Sequence, residues 1–133
     1  LFDPIFPTKT FPNHYSIATG LYAENHGIVA NSFFDPERNE KFSIKDRKTV
    51  NDGSWYEGEP LWVAASKEEM VSASYFWVGS DSNIQNHGPS HFYEFNMSAT
   101  SSDKINQLEK WLEMPESKRP HLISLYFHQV DVA

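Results

Sequence analysis

Pro7-Thr8-Lys9-Thr10-Phe11-Pro12-Asn13-His14-Tyr15-Ser16-Ile17-Ala18-Thr19-Gly20-Leu21-Tyr22 is the stretch on which the reading of this chain turns. Pro12 falls where the first turn of a helix begins, a place where a missing N–H costs nothing. Asn13 to Thr19 continues as a short helix, and Gly20 supplies its stop. Upstream, Leu1 to Phe6 reads as an extended apolar segment, kept from a regular interior strand by Pro4 and Pro7. Thr10 is therefore expected at a strand-to-helix junction, beside backbone N–H groups that attract anions.

Working outward, Glu24 to Arg38 is rich in Asn, Gly, Asp and Pro and reads as a loop that holds polar side chains near a site. Phe42 to Asn51 is charged and has no clear period. Pro60 to Met70 reads as a helix, with Pro60 at its start and Leu61, Trp62, Val63, Ala64 and Ala65 following. Ser72 to Val78 is aromatic and alternating enough for a strand, and Gly79 to Pro89 for a loop. Ser102 to Met114 is a helix with Ile105, Leu108, Trp111 and Leu112 on one face. Pro115 to Pro120 breaks it, and His121 to Val130 reads as a buried strand. Strands alternating with helices imply an α/β layered fold with a largely parallel sheet. In such sheets ligands gather beyond the carboxyl ends of the strands. Thr10, the Gly79–Pro89 loop and Asp131 all follow strand-like runs and are expected on one face.

The 133 residues are 39% hydrophobic and carry a formal net charge of -7, which excludes a disordered chain. No dense Lys/Arg run exists, so a nucleic-acid polymer is an unsuitable partner. A small phosphorylated ligand stays possible, because metal ions supply positive charge locally. The absence of cysteine removes disulfides and thiolate metal sites, and no apolar run reaches the roughly 18–20 residues that cross a bilayer. The apolar start at Leu1-Phe2 and the stop at Val130–Ala133, with no turn or polar tail, read as a piece of a larger protein.

The Pro7–Tyr22 stretch resembles the nucleophile region of the nucleotide pyrophosphatase/phosphodiesterase family, type I phosphodiesterases within the alkaline phosphatase superfamily. The similarity continues through Glu24–Asn31, Asp35-Pro36, Trp55–Trp62 and Phe76–Asp81, and from Tyr126-Phe127 to Asp131. Only Ser98–Lys118 matches weakly. The resemblance implies that residues 1–133 are a partial catalytic domain, the N-terminal part of an alkaline-phosphatase-like fold, with upstream and downstream segments missing. It also implies an extracytoplasmic protein that hydrolyses phosphodiester or pyrophosphate bonds in nucleotides and releases nucleoside 5′-monophosphates.

The resemblance carries roles for individual residues. Thr10 is implied to bind zinc and attack phosphorus, giving a phospho-threonine intermediate that water cleaves. A free threonine hydroxyl is a poor nucleophile near neutral pH and needs a base or metal. Two close metal ions, zinc or other divalent ions, stabilise attacking and leaving oxygens. Asn31 is implied to bind a phosphate oxygen together with the backbone N–H at the nucleophile. Asp131 is implied as a zinc ligand. The expected Glu-Pro before it is replaced by Gln129-Val130, and the remaining metal ligands are not in the chain. The segment by itself is expected to be inactive. Phe11 and Phe95 fall where relatives sandwich a nucleobase, a stacking worth roughly 1–3 kcal/mol. Trp77, Asp81 and Ile44 fall near the same pocket. A lysine that some relatives use against phosphate has no counterpart; Thr49 is nearest, beside Arg47 and Lys48.

Each of these residues has a plainer use. Thr10 alone is a capping or loop threonine and Asn31 a turn asparagine. Asp131 is a strand-end carboxylate, and the aromatics and Ile44 are core. His14 and His26, too far apart for a His-x₃-His helix pair, read as structural or as supports behind the residues of the site, and His87, His91, His121 and His128 show no ligand spacing. The charges around Lys67 and Glu113–Arg119 read as solvated surface. Asn96-Met97-Ser98 is a glycosylation sequon, meaningful in a eukaryotic secreted protein. A phospholipid or choline phosphodiester hydrolase, a phosphomonoesterase and a non-catalytic phosphate-ligand-binding relative stay open. Thr10 argues against the sulfatase branch, which uses an oxidised Cys or a Ser nucleophile.

Overall fold

A computed structural model describes residues 3–129. Helix α1 spans Thr10–Thr19, with Lys9 as its N-cap and Gly20 in the left-handed conformation as its C-cap, φ 71°. The Gly20 N–H closes the helix onto Ser16 O at 2.8 Å, a geometry that only glycine adopts without a Cβ penalty. The described residues before α1, Asp3 onward, form no strand. Pro4 and Pro7 offer no N–H to a ladder, and Lys9 N–H turns back onto Pro7 O at 2.8 Å. Thr10 therefore follows a turn, which corrects the expected strand-to-helix junction.

The expected Glu24–Arg38 loop is also more ordered than its composition suggests. Helix α2 (Ala23–His26) precedes a hairpin of β1 (Ser32–Asp35) and β2 (Glu40–Ser43), paired antiparallel from Ser32↔Ser43 to Asp35↔Glu40. Asp35 closes the turn by accepting the Glu37 and Arg38 N–H groups at 2.9 and 3.1 Å, and Asn39 takes a positive φ of 52°. A short helix α3 (Arg47–Val50) is capped by the Asp46 carboxylate. Helix α4 (Leu61–Lys67) starts at Pro60 as expected.

Strand β3 (Ser72–Tyr75) is the buried centre of a three-stranded sheet. β4 (His91–Tyr93) and β5 (Leu122–Leu125) flank it, and both pair parallel to it, Ala73↔His91 on one side and Ala73↔Ile123 on the other. The largely parallel α/β sheet is thus observed. β3 ends three residues before the expected Val78 because Phe76 adopts φ 68°. A bulky residue rarely tolerates that conformation, and the chain leaves the sheet there.

Helix α5 (Ser101–Leu112) opens with a capping box, the Thr100 hydroxyl and Asp103 carboxylate each satisfying the other's backbone N–H. Its inner face is not the expected apolar stripe. Trp111 is 2% exposed, whereas Ile105 and Leu112 are 43% and 51% exposed, and Lys104 is fully buried. The strand expected over His121–Val130 is confined, among the described residues, to β5, which is half-buried rather than buried.

Two cores result. Tyr15, Ile28, Phe42, Trp55, Tyr56 and Trp62 join α1, the hairpin and α4, while Tyr75, Phe76 and Trp111 join β3 to α5. Trp77 packs against the first cluster, and its indole N–H donates to His14 O on α1 at 3.0 Å.

Candidate functional site

The first turn of a helix leaves backbone N–H groups without intrahelical partners. In α1 they can be followed individually. Lys9 N–H donates to Pro7 O, Pro12 has none, and Phe11 N–H donates to Asn31 Oδ1 at 3.0 Å. Among the described residues only the Thr10 N–H is left with no acceptor, so the anion-attracting end of α1 opens at Thr10 itself. Asn31 is brought there by the strand hairpin, to which its carbonyl is tied by Ile44 N–H at 3.0 Å. Holding Oδ1 on Phe11 fixes the amide plane, and its NH₂ group has no acceptor among the described residues.

Beside Thr10 lies a cavity of about 200 Å³ lined by Thr10, Phe11, Ile44, Trp77, Asp81 and Phe95. All of these were candidates from the sequence. A cavity of about 150 Å³ already holds a benzene ring, so this one has room for a planar ring system. Gly79 forms part of the wall at φ 85°, where an added Cβ would come within 3.3 Å of the Tyr15 and Tyr56 rings. Phe76, which leaves the sheet at its positive φ, packs edge-on against Phe95 at 5.4 Å between centroids.

Arg47 completes the mouth of the cavity. Its guanidinium donates to Asp81 Oδ2 at 2.7 Å and stands 3.7 Å from Glu94. The Asp81 side chain is 8% exposed and that of Arg47 44%, so the carboxylate is sunk into the wall and the cation faces the opening. Thr49, the position nearest the lysine of some relatives, is turned away, its hydroxyl donating to Ser43 O at 3.0 Å.

The opposite wall is held by Lys104. Its ammonium donates to His128 Nδ1 at 3.2 Å and Gln129 Oε1 at 3.4 Å, and lies near the Phe76 and Phe127 rings. His128 Nε2 then donates to Met97 O at 3.2 Å, which fixes the tautomer. Burial lowers the Lys104 pKa. Arg47, Met97, Tyr126 and His128 also line the cavity, and no periodicity or ligand spacing marks them in the chain.

His14 and His26 are both bonded into α1. His14 Nδ1 lies 2.8 Å from Thr10 O, and its ring sits edge-on to Trp77 and Tyr126. His26, fully buried, joins Ser16 Oγ at 2.8 Å and accepts Ile28 N–H at 3.2 Å. Burial lowers its pKa, outweighing its backbone hydrogen bonds. Asp131 lies outside the described residues. Among the described residues no group of three His, Cys, Asp or Glu side chains is placed to hold a metal ion, and no helix is long and apolar enough to cross a membrane.

The family described as type I phosphodiesterase / nucleotide pyrophosphatase matches residues 2–133. Ectonucleotide pyrophosphatase/phosphodiesterase family member 1 of Mus musculus is 44% identical over 128 residues, 96% of this chain and 14% of the relative. Venom phosphodiesterase 2 of Crotalus adamanteus is 39% identical over 127 residues, 96% of this chain and 16% of the relative. The solved structure of murine ectonucleotide pyrophosphatase / phosphodiesterase 5 superposes with a TM-score of 0.88 at 35% identity, covering 97% of this chain and 34% of that one. An inactive threonine-to-alanine form of that murine protein, in complex with AMP, gives a TM-score of 0.87 at 34% identity over the same shares. The chain thus spans about a seventh of the length of the curated relatives. The fold is the α/β, alkaline-phosphatase-like one expected from the sequence. With the parallel sheet, the cavity and the match over nearly every residue in agreement, the chain belongs to the type I phosphodiesterase / nucleotide pyrophosphatase family.

Proposed function

We propose that this chain supplies the nucleophile and the nucleotide cavity of an extracytoplasmic hydrolase that cleaves phosphodiester and pyrophosphate bonds in nucleotides and releases nucleoside 5′-monophosphates. The carrying observation is the place of Thr10. It heads α1 with its own N–H open, next to Asn31 and at the edge of an aromatic cavity. A base lying between Phe11 and Phe95 puts the 5′-phosphate towards the helix terminus. There the Thr10 hydroxyl attacks phosphorus, the bond to the leaving oxygen breaks, and water later cleaves the phospho-threonine. Thr10 N–H and the Asn31 amide are the donors for the oxygen that gains charge. The relatives, ectonucleotide and venom phosphodiesterases among them, support this reaction class and location, and AMP bound to the inactive murine relative supports a nucleotide ligand.

The Thr10 hydroxyl has no basic side chain bonded to it among the described residues, so its activation has to come from another group. We assign that role to two divalent metal ions, zinc first. Thr10 Oγ and Asp131 are the residues of this chain proposed to hold them. When bound, such ions lower the hydroxyl pKa and neutralise phosphate charge. The described residues fit one corner of such a site and not the whole, so the isolated 133-residue segment is expected not to catalyse.

The intact protein should hydrolyse p-nitrophenyl thymidine monophosphate faster than p-nitrophenyl phosphate or p-nitrophenyl phosphorylcholine. Thr10→Ala should abolish that activity, and a chelator should remove it with zinc restoring it. Unchanged turnover by the Thr10 variant would overturn the nucleophile. Preference for the choline ester would make the enzyme a lipid-headgroup hydrolase.

A further inference from the structure

We propose that Arg47, held on Asp81, biases the cavity towards nucleotides whose base carries an oxo group on its pairing edge (guanine, uracil, thymine) over those with an amino group there (adenine, cytosine). This preference rests on the cavity being the nucleotide site, and it concerns the base rather than the bond that is broken.

The polar side chains around the cavity have different work. Thr10 stands at the helix terminus, the end proposed for the phosphate. The Trp77 indole N–H is spent on His14 O at 3.0 Å, and the two ring nitrogens of His128 on Lys104 and Met97 O. Tyr126 turns its ring to His14 and Phe95. Arg47 and Asp81 form the polar wall that the edge of a ring stacked between Phe11 and Phe95 would meet.

Within that wall the two partners are unequal. Arg47 Nη2 makes both acidic contacts, 2.7 Å to Asp81 Oδ2 and 3.7 Å to Glu94. Nη1 and Nε therefore keep N–H groups with no acceptor among the described residues. The Asp81 side chain is 8% exposed against 44% for Arg47. A ligand atom meets the donors first and the carboxylate behind them. With its charge already met by Asp81, the guanidinium offers a rigid fork of directed donors to a neutral acceptor. Guanine O6 and thymine or uracil O4 are such acceptors, whereas adenine N6 and cytosine N4 are donors at the same places of the ring. An amino group brought against the guanidinium gives up its water and gains no partner, which is the costly side of a hydrogen-bond exchange.

The intact, metal-loaded protein would be given two pairs of 5′-triphosphates that differ at that ring position, inosine against adenosine and uridine against cytidine. Release of the monophosphates would be followed by chromatography. Wild type should favour the oxo member of each pair by about fivefold or more in kcat/KM, chiefly through KM. That is the lower end of what a paired contact to a base edge discriminates, about fivefold, because Arg47 is partly exposed. Arg47→Lys keeps a donor and should keep the direction of the preference. Arg47→Met should invert it, since the Asp81 carboxylate then faces the ring and accepts from the amino group. Equal kcat/KM within both pairs in wild type overturns the preference, as does a wild-type bias towards the amino bases, and this comparison decides whether or not the variants fold. A bias that survives unchanged in Arg47→Met overturns the role of Arg47. Failure to cleave any of the four, with p-nitrophenyl phosphorylcholine cleaved, overturns the nucleotide reading itself, and the base preference falls with it.

Discussion

Asn31 Oδ1 accepts the backbone N–H of Phe11 at 3.0 Å, and through that bond the strand hairpin is fastened to the first turn of the helix that carries Thr10. The bond consumes one donor of the helix terminus and leaves the Thr10 N–H and the Asn31 NH₂ pointing at the same problem, an oxygen that acquires charge. In Asn31→Ala the terminus would lose its fixed amide while Phe11 N–H loses its acceptor. The expected result in the intact enzyme is a kcat lower by about 10²–10³, the range seen on removing one such donor, with KM changed little. Steady-state kinetics with a nucleotide ester check this; a kcat within a few-fold of wild type would leave Asn31 a turn residue.

The Arg47 guanidinium is held by Asp81 at 2.7 Å, stands 3.7 Å from Glu94 and lines the cavity. It lines the same cavity as Thr10, whereas the Thr49 hydroxyl is bonded into the hairpin. Charge-assisted hydrogen bonds contribute about 1.5–3 kcal/mol. Arg47→Ala should therefore raise KM for a nucleotide ester about tenfold at low salt, the lower end of that range because the side chain is half exposed. The difference from wild type should shrink as salt is added. Equal KM values at low salt would show that Arg47 serves only Asp81.

How much of this was legible in the sequence depends on how local the cause is. Helix α1 could be read because Pro12 and Gly20 mark its ends by their own backbone chemistry, and Thr10 could be placed at its head for the same reason. β4 could not. His91-Phe92-Tyr93 has no alternation of its own and becomes a strand only because β3 offers it a partner. Nor could Arg47, whose role comes from a carboxylate 34 positions away. The α5 stripe misled for a related reason. Ile105 and Leu112 satisfy the helical period, yet the face that packs is chosen by Trp111 and the wall that Lys104 supports. Asn31 and the aromatics of the cavity were named from a family likeness, and the structure adds what the likeness lacked, the hydrogen bond and walls that gather them.

Tyr15 tests the core beneath the site. It is fully buried, its ring sits edge-on to His26 and Tyr56, and its hydroxyl has no hydrogen-bond partner among the described residues. Burial raises its pKa well above the usual phenol value, so it stays neutral throughout the range of stability. An unsatisfied buried hydroxyl costs about 1–3 kcal/mol, and replacing it with an apolar atom of similar shape is neutral or stabilising. Tyr15→Phe should therefore hold or raise the Tm of the intact protein. A clear fall in Tm would reveal a partner for the hydroxyl and a different packing of α1.

His26 makes the same core sensitive to acid. It is fully buried; Nδ1 accepts Ile28 N–H, and Nε2 lies 2.8 Å from Ser16 Oγ and 3.3 Å from Pro12 O. That pattern requires the neutral ring with its proton on Nε2. Desolvation lowers the folded-state pKa below the ordinary histidine value, whereas the unfolded chain titrates near about 6.5. Between the two pKa values the unfolded state binds more protons, so stability falls as the pH drops below about 6.5 and stops falling below the folded pKa. Above about 6.5 this residue adds no pH dependence. Thermal melts across this acid range should show Tm declining in wild type. In His26→Gln, Tm should start lower, because Ile28 N–H has lost its acceptor, and should decline less steeply. An acid slope of Tm identical in the two proteins would mean that His26 takes up its proton alike in the folded and unfolded chain, and that the join between α1 and α2 is built on different hydrogen bonds.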